Sequence, residues 1–171
     1  KGAWLLGPNS AGVVSPGRAN LADLNDLRLR PGRIGIVSKS GTLTYEVIED
    51  LQAAGLGESS VVCLGGDPVI GTSYADVLPL FESDSETDLV VLIGEPGGRQ
   101  EYDALAVART MKTPLVAYIA AQNAPAEKRM GHAGAIHDQG DTTAAAKLSA
   151  FRDAGFQAVG RVTQVADAVL H

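Results

Sequence analysis

The 171-residue chain has one cysteine, two methionines and one tryptophan, and aromatic residues make up only 5% of it. A single cysteine, Cys63, excludes an intramolecular disulfide. It lies in an apolar run, so it reads as inert core in a reducing compartment. Cys63 and three histidines show no metal-ligand spacing, and no metal site is expected. Apolar runs such as residues 89–93 fall far short of the ~20 residues a membrane helix needs, so no membrane contact is expected. Basic residues are outnumbered, 14 against 20 acidic, for a net charge of −6. They form no cluster, which argues against nucleic acid as a partner. An initiator methionine and a basic-then-apolar leader are also missing. Residues 1–6 run straight into Gly7-Pro8-Asn9, which reads as a chain cut from a longer protein just before a strand.

What is present is ordinary for a globular protein: 45% hydrophobic and 20% charged residues, enough for one core and one domain over residues 1–171. Short apolar runs alternate with amphipathic stretches. Residues 3–6, 34–37, 60–64, 88–93, 114–120 and 157–159 read as strands or apolar runs, and residues 10–32 as irregular, with Pro16-Gly17 and Pro31-Gly32 as breakers. Helical spacing covers residues 43–54, 74–81, 101–111, 142–154 and 163–170, with stops at Gly55 and Gly155. The strands are continuous apolar runs, as burial on both faces requires. The expectation is an α/β, doubly wound, mostly parallel, flavodoxin-like sheet of about five strands.

Ligands of such sheets bind beyond the carboxyl ends of the strands, and the unusual residues fall there. Ser38-Lys39-Ser40-Gly41-Thr42 ends one strand and opens a helix. Free N–H groups, a glycine and the hydroxyls of Ser40 and Thr42 suit a phosphate or carboxylate; an ordinary Ser/Thr cap is the other reading. The segment is neither a Walker A loop nor GxGxxG. Gly65-Gly66-Asp67-Pro68 follows the next strand, where Asp67 reads as a turn residue. Glu95 stands between Gly94 and Pro96 directly after an apolar strand, where a carboxylate needs a partner. That partner is either loop backbone or a histidine. His132 is flanked by small residues. A carboxylate on its Nδ1–H would leave Nε2 as a nucleophile toward phosphorus, although a lone loop histidine is also compatible with a solvated or structural role. His137 and His171 read as surface residues.

Together these segments form a set. Gly7-Pro8-Asn9, the run from Gly35 through Ser40-Gly41-Thr42 to Glu46, Gly65-Gly66-Asp67-Pro68, Ile93-Gly94-Glu95, and the run from Lys128 through His132 to Ile136 resemble the α subunits of the succinyl-CoA synthetase family. These are nucleoside-diphosphate-forming acyl-CoA synthetases, and the likeness spans essentially the whole chain. It implies that His132 carries a phosphoryl group, that Glu95 steadies it, and that Ser40-Gly41-Thr42 binds the phosphate. It also implies Lys39 and Asn9 as substrate contacts. CoA, ATP or GTP, and magnesium would be used by the complete enzyme, with no cofactor held tightly by this chain. The implied partners are a β subunit with an ATP-grasp domain and an upstream Rossmann-type CoA-binding domain outside this chain. The implied location is the cytoplasm, or the mitochondrial matrix in a eukaryote.

Two departures bear on the substrate. Ser10-Ala11 stands where the family usually has Cys-Pro, and Lys39 where it commonly has arginine, a planar bidentate clamp for carboxylates. Malate–CoA ligase and citrate-processing relatives share much of the pattern. Two readings of other classes stand beside it. One is a non-catalytic interaction domain of the same fold; the other is a flavin-binding module, which the scarcity of aromatics opposes.

Overall fold

The computed structural model describes residues 2–25, 29–122, 132 and 140–171. The strands are β1 (Gly12–Ser15), β2 (Ala19–Ala22), β3 (Pro31–Ser38), β4 (Glu58–Cys63), β5 (Leu89–Gly94), β6 (Leu115–Ile119) and β7 (Gln157–Val159). The helices are α1 (Gly41–Ala53), α2 (Tyr74–Ser83), α3 (Gln100–Ala108), α4 (Ala144–Asp153) and α5 (Val165–Leu170). All strands lie in one sheet, in the order β2-β1-β4-β3-β5-β6-β7.

The five strands β4-β3-β5-β6-β7 are parallel, in the doubly wound, flavodoxin-like order that the alternation of elements predicts. Strands β1 and β2 add an antiparallel hairpin on the β4 edge, so among the described residues the sheet has seven strands rather than about five. This hairpin occupies part of the stretch expected to be irregular. Its strands are four residues each, too short for alternation to show. The Pro16-Gly17 breaker is its turn, closed by Arg18 N–H donating to Ser15 O at 3.0 Å. Residues 3–6, in contrast, form no strand. They are tied across the sheet end by Thr72 Oγ1 donating to Leu5 O and by Gly7 N–H donating to Leu64 O.

Strand periodicity divides the core into two. Val37, Val90, Leu92, Ala117 and Ile119 face α2, α3 and α4, where Tyr74, Leu78, Leu105, Leu148 and Phe151 meet them. Their neighbours Ile36, Val61, Val91, Ile93 and Tyr118 face the other way, onto Val47, Ile48 and Leu51 of α1 and Val165 of α5. The stretches 34–37, 89–93 and 115–119 of the central strands are therefore continuous apolar runs, because alternate side chains fill different cores. Gly35 is the exception with a reason: a Cβ there would lie 2.7 Å from the Phe81 ring. Helices α1, α2 and α4 start on side-chain caps at Ser40, Ser73 and Thr143, each satisfying an N–H of the first turn. Gly55 and Gly155, at φ +80° and +89°, follow α1 and α4 where the sequence predicts the stops.

Glu58 begins β4 at the opposite end of the sheet from the strand-end loops and is 1% exposed. Burial pushes its carboxyl up from 4.5 to about 7, against the pull of backbone N–H groups at Arg30 and Glu58 and of the Gln52 side chain. The folded form therefore binds a proton that the unfolded form has released between about pH 4.5 and 7. Stability should fall as pH rises through that window and level off above it. Glu58→Gln keeps the shape without the charge. It is expected to raise the unfolding free energy at pH 8 by about 1–3 kcal/mol and to flatten the denaturant midpoint between pH 5 and 7. A variant with the wild-type slope would place the proton uptake elsewhere.

Candidate functional site

After β3 the chain turns into α1 on one face of the sheet; after β5 it turns into α3 on the other. The gap between these neighbouring strands is the topological switch point, where doubly wound sheets open a crevice. Ser38 and Ile93 are register partners at this point, and Lys39 N–H donates to Ile93 O at 3.2 Å. The Ser38–Thr42 segment and the Gly94–Glu95 turn thus leave the sheet side by side. The turn after β4 joins them through Leu64 N–H donating to Ser38 O at 2.7 Å.

His132 and Glu95, 37 residues apart, meet here: His132 Nδ1 lies 2.6 Å from Glu95 Oε2. The Glu95 side chain is 9% exposed and that of His132 25%. Burial raises the Glu95 carboxyl above its ordinary value, while the His132 hydrogen bond and the Lys39 charge pull it back. Facing an ionised Glu95, a neutral imidazole donates from Nδ1 and carries its lone pair on Nε2, to which no described residue bonds. The imidazole is seated on backbone, since a Cβ at Gly66 would fall 2.2 Å from His132 Nδ1. Glycine is needed there for close approach. The remainder of the glycine-flanked stretch around His132 (residues 123–131 and 133–139), including His137, lies outside the described residues.

At the start of α1 the Ser40 hydroxyl accepts from Leu43 N–H at 3.3 Å, and Ser38 Oγ accepts from Ser40 N–H at 3.0 Å. Ser40 is therefore spent on the cap. Among the described residues no acceptor meets the N–H groups of Gly41 and Thr42, which remain for an anion at the positive end of a 13-residue helix. Among the described residues no group of three or more acidic, histidine or cysteine side chains is arranged to hold a metal.

The other residues singled out from sequence lie as follows. Lys39 turns inward: it is 6% exposed, with Nζ 3.0 Å from Glu101 Oε1 and over the Tyr74 ring. Asn9 is exposed at φ +55°, with Nδ2 3.4 Å from Asp67 Oδ1, so Asp67 and Asn9 join two turns. Ser10 Oγ donates to Cys63 O. Cys63 itself is buried, its thiol pushed up to about 11. His171 is exposed. Two residues of this region were not foreseen, Glu101 and Lys147, both fully buried. A signal existed. The inward stripe of α3 is Glu101, Ala104, Leu105, Ala108, and that of α4 is Ala144, Lys147, Leu148, Phe151. Each apolar stripe of i, i+3, i+4, i+7 spacing carries one charge, and the two are of opposite sign.

Comparison with known proteins places this architecture. The CoA-ligase family model matches residues 37–156. The succinate–CoA ligase [ADP-forming] subunit alpha 1 of Archaeoglobus fulgidus is 51% identical over 153 residues, covering 90% of this chain and 53% of the relative. The malate–CoA ligase subunit alpha of Methylorubrum extorquens is 42% identical over 156 residues, covering 91% and 53%. The structure of ATP citrate lyase from Methanothrix soehngenii in complex with citrate and coenzyme A superimposes with a TM-score of 0.85 at 28% identity, covering 98% of this chain and 30% of that one. The chain spans about half the length of the curated relatives it matches. On the family match and these identities, the chain belongs to the CoA-ligase family.

Proposed function

We propose that this chain is the phosphohistidine-bearing domain of a succinate–CoA ligase α subunit, which forms an acyl-CoA from a carboxylate, CoA and ATP or GTP. The observation that carries the reading is the 2.6 Å contact between Glu95 Oε2 and His132 Nδ1, with the imidazole partly open to solvent. In this reading the Nε2 lone pair attacks the terminal phosphorus of the nucleotide as the bond to the diphosphate breaks. The ring then carries positive charge, which the Glu95 carboxylate opposes through Nδ1–H. The carboxylate substrate next takes the phosphoryl group from Nε2, giving an acyl phosphate and a neutral imidazole. The CoA sulfur displaces phosphate from that acyl group.

This chain's part is positioning and charge stabilisation, the main demand of phosphoryl transfer. The open N–H groups of Gly41 and Thr42, with Ser40 shaping the cap, are proposed to hold the phosphoryl oxygens during the hand-over. The nucleotide, its magnesium and CoA are assigned to the remainder of the enzyme, including a β subunit. That fits relatives named as subunits of which this chain matches half. The identity of the dicarboxylate rests on residues other than Lys39, whose ammonium faces Glu101. Succinate is favoured by the relatives at 45–51% identity, and malate is the second candidate, from a malate–CoA ligase subunit alpha at 42% identity.

In the complete enzyme, ATP or GTP should leave an acid-labile, base-stable phosphate on this chain, with His132→Ala abolishing it. Glu95→Gln should slow its formation by roughly 10²-fold or more without unfolding the domain. Phosphorylation at the wild-type rate in Glu95→Gln would make Glu95 structural, and label on His137 would overturn the assignment. Gly66→Ala should push the imidazole from its seat and slow the same step by ~10²-fold, with the circular dichroism spectrum unchanged; a wild-type rate would show that the ring is not held there. The isolated chain should turn over no nucleotide in the presence of CoA and succinate, whereas measurable turnover would refute the division of labour.

A further inference from the structure

Both backbone groups of Glu95 are held from below by buried charge. Its N–H donates to Glu101 Oε1 at 3.3 Å, and its C=O accepts from Lys147 Nζ at 2.8 Å. Lys147 also donates to Gly97 O and to Glu101 Oε2, so its three N–H bonds meet three acceptors. Glu101 is held on its other oxygen by Lys39 at 3.0 Å. Glu101 and Lys147 are 0% exposed. Burial lowers the Lys147 ammonium below its ordinary value, and Glu101 acts against that.

Such a cluster is a poor device for stability alone, because apolar residues of the same volume often do as well or better in a fully buried site. What apolar residues cannot supply is hydrogen bonds to the N–H and C=O of a single loop residue. Those two bonds set the backbone torsions at Glu95 and hence the direction of its side chain. The cluster is also charge-balanced, with Lys39 and Lys147 against Glu95 and Glu101 when His132 is neutral.

We propose that Glu101 and Lys147 are positioning residues for His132: they orient Glu95 so that Oε2 accepts from Nδ1–H and Nε2 is kept as the unprotonated nitrogen. This rests on the phosphohistidine reading above. It assigns the tautomer of the phosphoryl acceptor to a pair of side chains that touch neither the histidine nor its phosphate.

The test is ¹⁵N NMR of the chain labelled at histidine, with the His132 signals identified by their loss in His132→Gln, and with phosphoramidate as a small phosphoryl donor that needs no nucleotide site. Wild-type His132 should show the Nδ1–H form with a bare Nε2. In Lys147→Met the Nε2–H form should become at least about half of the population, and phosphorylation by phosphoramidate should slow by at least ~10-fold. The paired variant Glu101→Gln with Lys147→Met removes one charge of each sign. It should show the same tautomer change if Lys147→Met does not fold. A folded variant with the wild-type tautomer and rate overturns the positioning role and leaves the phosphohistidine reading standing. A wild-type chain without the Nδ1–H form overturns the reading itself. Loss of fold in both variants assigns the cluster to stability and overturns the proposal.

Discussion

Glu101, fully buried, is met by two ammonium groups that reach it from different parts of the chain. Lys39 comes from the end of β3 and Lys147 from the middle of α4, while Glu101 itself lies in the first turn of α3. The pairing draws one strand end and two helices to a point beneath the turn that follows β5. Breaking one member would leave an uncompensated charge in a site sealed from water, so the elements are held in register by electrostatics as well as by packing. The Glu95 carboxylate inherits that rigidity through its own backbone bonds to the same groups.

Glycines at the strand ends supply the space this arrangement needs. A Cβ on Gly94 would come within 2.8 Å of both the Glu101 side chain and Ile119 Cδ1, and one on Gly65 would come 2.1 Å from Pro8 O. Gly66 gives the imidazole its seat. The glycine-rich turns therefore do more than reverse the chain. They allow backbone and functional side chains to lie in contact at the one edge where the sheet opens.

The switch between β3 and β5 concentrates two kinds of chemistry at that edge. One strand end delivers a helix N-terminus with open N–H groups. The other delivers a buried carboxylate facing a histidine. The proposed phosphoryl transfer would use both: donors for the phosphoryl oxygens and a nitrogen of defined tautomer for the phosphorus. The related CoA ligases match this chain over about half of their length, and Ser38 to Lys147 fall within the family match.

Much of this was legible in the residue order because its causes are local. Continuous apolar runs demanded strands buried on both faces, and 3.6-residue spacing with Gly55 and Gly155 marked α1 and α4. Glycines around Glu95 and His132 set those residues apart from ordinary core and surface. The β1–β2 hairpin was not legible, since four-residue strands carry too little pattern and depend on the β4 edge for their register. The family resemblance implies Lys39 as a substrate contact, yet only the fold decides whether an ammonium beside a strand end turns outward or inward. Here Glu101, 62 residues away, draws it in. The charges within the α3 and α4 stripes were visible as anomalies, but their pairing was not: an isolated helix shows that a charge is on the buried face, and only tertiary packing shows which opposite charge compensates it. Residue order determined the parallel strands, the helices and the glycine-marked settings of His132 and Glu95. The tertiary structure decided which nitrogen faces the carboxylate, because that depends on distances between groups that only the folded chain brings together.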